Sequence, residues 1–211
     1  MAQLIAKGAE ADLLLDLDWN GLKALIKLRK KKKYRHPELD REIRKTRTLF
    51  EAGILHRVKE AGVPAPLVYQ VDPENATIIM EYLEGVKVRD IIKDLTIDEK
   101  KSLFNEIGVN AGLMHHSGII HGDLTTSNMI KGVNGVVFID FGLGEFSSEV
   151  EKRGVDLNLL NRMLTSTHYE YKETLFTAFK EGYIESLGCD AEVALERMRE
   201  IGKRGRYIER E

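Results

Sequence analysis

The sequence predicts an α+β fold in two lobes: a small β-rich N-terminal lobe carrying one long helix, and a reduced, mostly helical C-terminal lobe. Three observations predict it. Short β-forming runs (Leu13-Leu14-Leu15, Leu22 to Ile26, Thr77 to Leu83) and one long helical stripe fall before residue 84. Helical patterns dominate after it, and Asn134-Gly135 between Met129-Ile130-Lys131 and Val136-Val137-Phe138-Ile139 marks a hairpin within the second part. The expected boundaries are residues 1–83, 84–202 and a basic tail at 203–211, and 211 residues with 43% hydrophobic content suffice for such a core.

Leu13-Leu14-Leu15 and Leu22 to Ile26 read as strands around the turn Asp18-Trp19-Asn20-Gly21, preceded by the small-residue loop Gly8-Ala9-Glu10-Ala11. Lys27 ends the second strand, and the seven residues from Arg29 to Arg35 carry six positive charges, which read as a solvated loop. His36-Pro37 offers a helix start, and Leu39, Ile43, Phe50, Ile54 and Val58 continue as an apolar stripe, with a break possible at Arg44 to Arg47. Glu51 shares a face with Thr48, Leu55 and Val58. A carboxylate on a packed face needs a partner, and Lys27 is the natural one, with Glu42 as the alternative to Glu51. Thr77 to Leu83 reads as a core strand leading to a hinge. Thr96-Ile97-Asp98-Glu99 is a capping box opening a helix through Leu103, Ile107, Ala111 and Met114, which Gly118 stops. Helices around Val155 to Leu164, Tyr171 to Ser186 and Ala191 to Ile201 follow, with Asp156 readable as an N-cap or as an internal brace.

With 32 basic and 34 acidic residues the net charge is −2, so the whole molecule is not a polyanion binder. One cysteine, Cys189, excludes an internal disulfide and a cysteine-rich metal site. No leader or membrane-length apolar run is visible, and the expectation is a soluble cytoplasmic protein without membrane contact.

The chemistry concentrates in His121-Gly122-Asp123-Leu124-Thr125-Thr126-Ser127-Asn128, followed across the hairpin by Asp140-Phe141-Gly142. A hairpin brings the start of its first strand to the end of its second, so Asn128 and Asp140 are expected to meet and to hold Mg²⁺ through oxygen. Asp123, five positions before Asn128 on a loop bent at Gly122, is placed to receive a hydroxyl proton or orient a nucleophile. His121 reads as structural. This order of groups is similar to the catalytic loop and metal motif of protein kinases.

Ile26-Lys27-Leu28-Arg29, Lys33-Tyr34-Arg35-His36-Pro37-Glu38-Leu39-Asp40 and Lys203-Arg204-Gly205-Arg206, taken with those motifs, resemble the small atypical, Rio-like serine/threonine kinases of the KEOPS complex, over nearly the whole chain. The resemblance implies a protein-kinase-like fold and Mg-ATP-dependent kinase/ATPase activity supporting N6-threonylcarbamoyladenosine formation at position 37 of tRNA. It implies work beside the tRNA threonylcarbamoyl-transferase subunit and other KEOPS subunits. It also assigns roles: Asp123 catalytic; Asn128 and Asp140 on metal; Lys27 on phosphate, held by Glu51; Gly8, Ala9, Glu10 and Ala11 over the nucleotide; main-chain groups of Glu81 and Leu83 on adenine with Met80 behind; Asp156 bracing the catalytic loop. Lys203, Arg204 and Arg206 are expected to contact tRNA or a partner.

One departure is informative. Few residues separate Gly142 from Asp156 and no Ala-Pro-Glu motif occurs, so the usual peptide platform is missing and the segment from Glu145 to Arg153 is free to meet a partner. Two other readings share some of these features: a small-molecule phosphotransferase of the aminoglycoside type, and a nucleotide-binding scaffold without catalysis.

Overall fold

Asn20 and Gly21 both take positive φ, 52° and 84°, the two-residue turn whose twist matches that of the strands it joins. It connects β2 (Ala11–Trp19) to β3 (Leu22–Arg29), with β1 (Gln3–Lys7) paired antiparallel on the far side of β2. The structure is a computed structural model describing residues 2–207, with side chains as far as Arg204. The chain divides into two compact units, residues 1–57 with 65–84, and residues 58–64 with 85–211.

In the first unit, α1 (Pro37–Glu60) follows β3, then β4 (Val68–Asp72) and β5 (Thr77–Glu81), and the antiparallel sheet is ordered β1-β2-β3-β5-β4. β1 and β4 have no counterpart in the sequence reading. Their short, mostly exposed or half-buried runs carry little apolar alternation, since both lie at sheet edges.

α1 is unbroken through residues 44–47. Arg44 Nε donates to Asp40 at 2.7 Å, and Thr48 Oγ1 donates to the Arg44 carbonyl at 2.7 Å. Leu39 and Phe50, expected on the apolar stripe, are exposed; the buried face is instead Asp40, Arg44, Thr48, Glu51, Ile54, Leu55 and Val58. Four of those seven residues are polar, which masks the hydrophobic period.

The basic run is not a solvated loop either. Arg29 is 6% exposed, and Lys30, Lys32 and Arg35 pair with Asp12 at 2.8 Å, Glu10 at 2.9 Å and Asp40 at 3.7 Å. Opposite charges distant in sequence gather this run back onto the sheet, which single-segment charge counting does not register.

The second unit contains, in chain order, β6 (Val86–Lys87), α2 (Val88–Ile91), α3 (Ile97–His116), β7 (Ile119–Ile120), a 3-10 turn (Thr126–Asn128), β8 (Met129–Gly132), β9 (Gly135–Phe138), β10 (Glu145–Phe146), α4 (Val150–Thr167), α5 (Lys172–Leu187) and α6 (Cys189–Tyr207). Thr96 caps α3 with both halves of the capping box formed. β8 and β9 form the expected hairpin, Met129 opposite Phe138, and β6 adds to its edge; β7 pairs with β10.

α3 and α5 pack backbone against backbone. A Cβ on Gly108 would lie 2.1 Å from the Phe179 carbonyl oxygen, and one on Gly182 would lie 2.1 Å from that of Asn105. Leu103, Phe104, Ile107, Phe179 and Tyr183 fill the surrounding core.

α6 corrects one expectation. It runs to Tyr207, so Lys203 and Arg204 stand on an exposed helical surface and not in an extended tail. Gly202 and Gly205 each cost a helix only about 1 kcal/mol, while Arg197 pairs with Glu151 of α4 and Arg204 lies 3.8 Å from the same carboxylate. The Arg206 side chain and residues 208–211 lie outside the described residues. No helix among the described residues is long and apolar enough to cross a membrane.

The glycines divide by sign. Gly182→Ala is expected to lower unfolding free energy by about 1–3 kcal/mol through overpacking. Gly53→Ala, in α1 with nothing within 4 Å of the added Cβ, is expected to raise it by about 0.5–1 kcal/mol. Denaturant titration of the two variants reads both signs, and a stabilised Gly182→Ala would contradict the packing.

Candidate active site

The β8–β9 hairpin brings the two expected metal donors, Asn128 and Asp140, to one end. Ile139 N donates to the Asn128 carbonyl at 2.9 Å, which closes the hairpin's open end and sets Asp140 beside Asn128. The Asn128 amide Nδ2 donates to Asp123 Oδ2 at 2.7 Å and to the Asp123 carbonyl at 3.0 Å, so its Oδ1 is turned away from Asp123. Asp140 takes φ 62°, the left-handed region uncommon for a residue with a side chain, and Gly142 N donates to its Oδ1 at 3.4 Å. A carboxylate and an amide oxygen are hard donors of the kind that would suit Mg²⁺.

The two motifs are packed onto each other. Phe141, 1% exposed, lies against the fully buried His121 ring at 4.5 Å between centroids. Gly122 takes φ 78°, and a Cβ there would stand 2.1 Å from the Leu143 carbonyl oxygen. Only glycine allows both the bend and that approach. β7 before the first motif pairs with β10 after the second, and Ser147 N donates to the Gly118 carbonyl at 2.9 Å.

Asp156 lies inside α4, whose N-cap is Glu149, so it is not an N-cap residue. Its carboxylate accepts from His121 N at 2.7 Å and Gly122 N at 2.9 Å, with His115 Nε2 at 3.4 Å; the other His115 nitrogen meets the Tyr183 hydroxyl at 2.8 Å. Burial pushes the Asp156 carboxyl up, but the His115 hydrogen bond, the two imidazoles and the backbone donor outweigh it and hold it below its ordinary value. Tyr183, desolvated, is held well above the usual phenol range.

His121 Nδ1 accepts from Asp123 N at 3.3 Å, so this imidazole orients the backbone of Asp123. Burial holds its pKa below the ordinary value despite Asp156, Asp123 and Asp140. His168, against Thr126 Oγ1 at 3.1 Å, is lowered by burial, then by Lys93 and Arg89.

In the first unit, Glu51 is 2% exposed and carries two cations. Lys27 Nζ donates to Oε1 at 2.5 Å and Arg29 Nη2 to Oε2, while Glu42 is exposed. Taking Glu51 away would break both of these buried ion pairs, a loss on the order of 3–5 kcal/mol. Met80 is buried on β5; Glu81 N donates to the Leu67 carbonyl at 2.8 Å, while Leu67 N donates to the Glu81 carboxylate at 3.1 Å. Gly8 N donates to the Ala11 carbonyl at 2.9 Å, closing the loop of Gly8, Ala9, Glu10 and Ala11.

Arg29, His115 and Tyr183 were not read from the sequence. Arg29 left a signal: two residues beyond Lys27 on one strand, it must share its face. His115 and Tyr183 left none, because their meeting depends on α3 and α5 packing.

The RIO domain family matches residues 20–144. The KEOPS complex subunit Bud32 of Pyrococcus abyssi is 46% identical over 214 residues, covering 99% of this chain and 97% of that protein. The chain belongs to the Bud32 branch of the RIO-domain family. Among its relatives, the probable bifunctional tRNA threonylcarbamoyladenosine biosynthesis proteins of Methanothermobacter thermautotrophicus and Methanocaldococcus jannaschii are 43% and 41% identical. The chain spans 98% of its own length in each match but only 37% of either protein. Among solved structures, the Rio2 kinase of Chaetomium thermophilum in an ADP/Mg²⁺-phosphoaspartate complex is similar with TM-score 0.64 at 16% identity, over 93% of this chain and 70% of that one. The fold is therefore kinase-like.

His121 and His168 titrate lower in the folded chain than in the unfolded one. The unfolded chain then binds more protons between the two values, so their contribution is full above about pH 6.5 and is lost as pH falls. Asp156 is lowered too, and its share is lost only below about pH 4. Urea midpoints are expected to fall from pH 7 to pH 5, less steeply in His168→Gln. An identical slope in that variant would remove His168 from the account.

Proposed function

We propose that the chain is the Mg-ATP-dependent kinase/ATPase subunit of a KEOPS complex and supports N6-threonylcarbamoyladenosine formation at position 37 of tRNA. The observation that carries this reading is the join of Asp123, Asn128 and Asp140 at one hairpin end, in a chain that matches a KEOPS subunit over 97% of that subunit's length. The names of the longer relatives point to the same pathway chemistry.

Each residue has a part. Asn128 Oδ1 and the Asp140 carboxylate would hold Mg²⁺, which when bound neutralises charge on the polyphosphate oxygens. Asp123, oriented by the Asn128 amide and by His121 through its backbone N–H, accepts the proton of the attacking hydroxyl or water. The Lys27 ammonium binds phosphate, and Glu51 sets its position with Arg29 on the opposite oxygen. Adenine meets the Glu81 carbonyl and the Leu83 N–H beside Met80. The loop at Gly8, Ala9, Glu10 and Ala11 covers the nucleotide. The transferase subunit and tRNA are the partners, with Lys203 and Arg204 on the exposed end of α6, and Arg206 beyond them, for RNA phosphate.

Asp123→Asn is expected to lower the rate of phosphate release about 10²- to 10⁴-fold while leaving ATP binding within about threefold. Turnover of the chain alone, with its transferase partner, and with partner plus tRNA locates the physiological state. Wild-type turnover in the variant would refute the role of Asp123. Removing residues 203–211 is expected to weaken tRNA binding by the complex and flatten its salt dependence; superimposable binding curves would count against the α6 contact.

A further inference from the structure

We propose that Lys30 and Lys32 are positioning residues for the nucleotide, holding the Gly8–Ala11 loop so that the N–H groups of Ala9 and Glu10 are presented to a polyphosphate. The inference rests on the ATP reading above and deepens it. A loop that covers phosphates acts through its N–H groups, and kinase loops ordinarily reach that geometry with several glycines. This one has a single glycine, Gly8, so its orientation needs another cause.

The cause lies in the carbonyls. Lys30 Nζ donates to the Gly8 carbonyl at 3.0 Å, Lys32 Nζ to the Ala9 carbonyl at 2.8 Å, and Lys30 N to the Glu10 carbonyl at 2.9 Å. Three successive carbonyl oxygens are thus taken up on the side of the segment that follows β3. In a planar trans peptide the N–H points opposite to the C=O before it. Holding the carbonyls of Gly8 and Ala9 therefore turns the N–H groups of Ala9 and Glu10 the other way.

The clamp is anchored at both ends. Gly8 is tied to the first residue of β2 by its N–H to the Ala11 carbonyl at 2.9 Å, and the approach is close enough that a Cβ there would lie 2.7 Å from that oxygen. Lys32 N donates to Asp40 at 3.2 Å, and Asp40 is held by Arg44 on α1, the helix that carries Glu51. Arg47 of α1 reaches Glu10 at 3.5 Å.

These contacts are geometric more than attractive. Each ammonium already faces a carboxylate, Asp12 for Lys30 at 2.8 Å and Glu10 for Lys32 at 2.9 Å, and Glu10 is held below its ordinary pKa chiefly by the Lys32 hydrogen bond. Much of the field of both cations is cancelled locally. Lys31 and Lys33 in the same run are exposed, so they provide a charge-matched comparison.

The full-length chain carrying Lys30→Met with Lys32→Met is compared with one carrying Lys31→Met with Lys33→Met. The first is expected to raise KM for ATP about tenfold, as for loss of one or two amide–phosphate bonds, with kcat lowered less than about threefold. AMP binding should be nearly unaltered, and amide hydrogen exchange in residues 8–11 should quicken. The second pair should leave KM and exchange near wild type. Equal KM increases in both pairs, or an increase without faster exchange, would assign the effect to diffuse charge and overturn the clamp. An unaltered KM in the first pair would also overturn it, while leaving the Asp123→Asn loss in place. Turnover indifferent to Asp123→Asn would instead remove the ATP reading itself.

Discussion

One carboxylate holds the bend at His121 and Gly122. Asp156, 1% exposed in the interior of α4, would be an unpaired buried charge without the backbone N–H groups of His121 and Gly122. Those two amides in turn belong to a bend that no helix or sheet satisfies. Each therefore settles the other's hydrogen-bonding need, and the bend at Gly122 cannot relax without stranding a buried carboxylate. From that point the geometry propagates: His121 orients the Asp123 backbone, Asp123 holds the Asn128 amide, and the hairpin closes Asn128 onto the residue before Asp140. His115 and Tyr183 extend the same network into the close-packed α3 and α5, so the glycines that allow that packing also support the loop.

The first unit solves a similar problem with opposite sign. Lys27 and Arg29 point from one face of β3 at a single buried carboxylate, Glu51, one cation on each oxygen. A lone lysine against Glu51 would make a neutral pair. With Arg29 present, each oxygen of the buried carboxylate is taken by a different cation. Arg29 thereby also frees Lys27 from supplying all of Glu51's compensation, which suits an ammonium whose proposed task is to hold phosphate.

Much of this was legible in the sequence, but unevenly. The Asn134-Gly135 hairpin, the Thr96 capping box and the Asn20-Gly21 turn were readable because each rests on residues a few positions apart with one favoured conformation. The pairing of Lys27 with Glu51 was readable because a carboxylate on a packed helix face demands a partner. The basic run was misread for the opposite reason: its counter-charges, Asp12, Glu10 and Glu51, lie 18 to 22 positions away, and only sheet formation brings them close. α1 was misread as apolar at Leu39 and Phe50 because its buried face is built largely from Asp40, Arg44, Thr48 and Glu51. β1 and β4, at sheet edges, had too little burial to leave a pattern.

The segment after Asp-Phe-Gly bears on what receives the phosphoryl group. In a kinase that acts on peptides this stretch is long enough to form a platform whose order is regulated. Here it is short and tied at several successive places. Gly144 N bonds to the Phe141 carbonyl, β10 pairs with β7, Ser147 N bonds to the Gly118 carbonyl, and α4 begins at Val150. Gly122 fixes it again by its close approach to Leu143. A segment held this way has no slack to wrap a peptide. Phosphoryl transfer is then best served by an acceptor that needs no platform: water, or a hydroxyl brought in by a bound partner. Under the proposed function, that favours ATP hydrolysis over transfer to a free peptide, with Asp123 serving hydroxyls that a partner or the chain itself delivers.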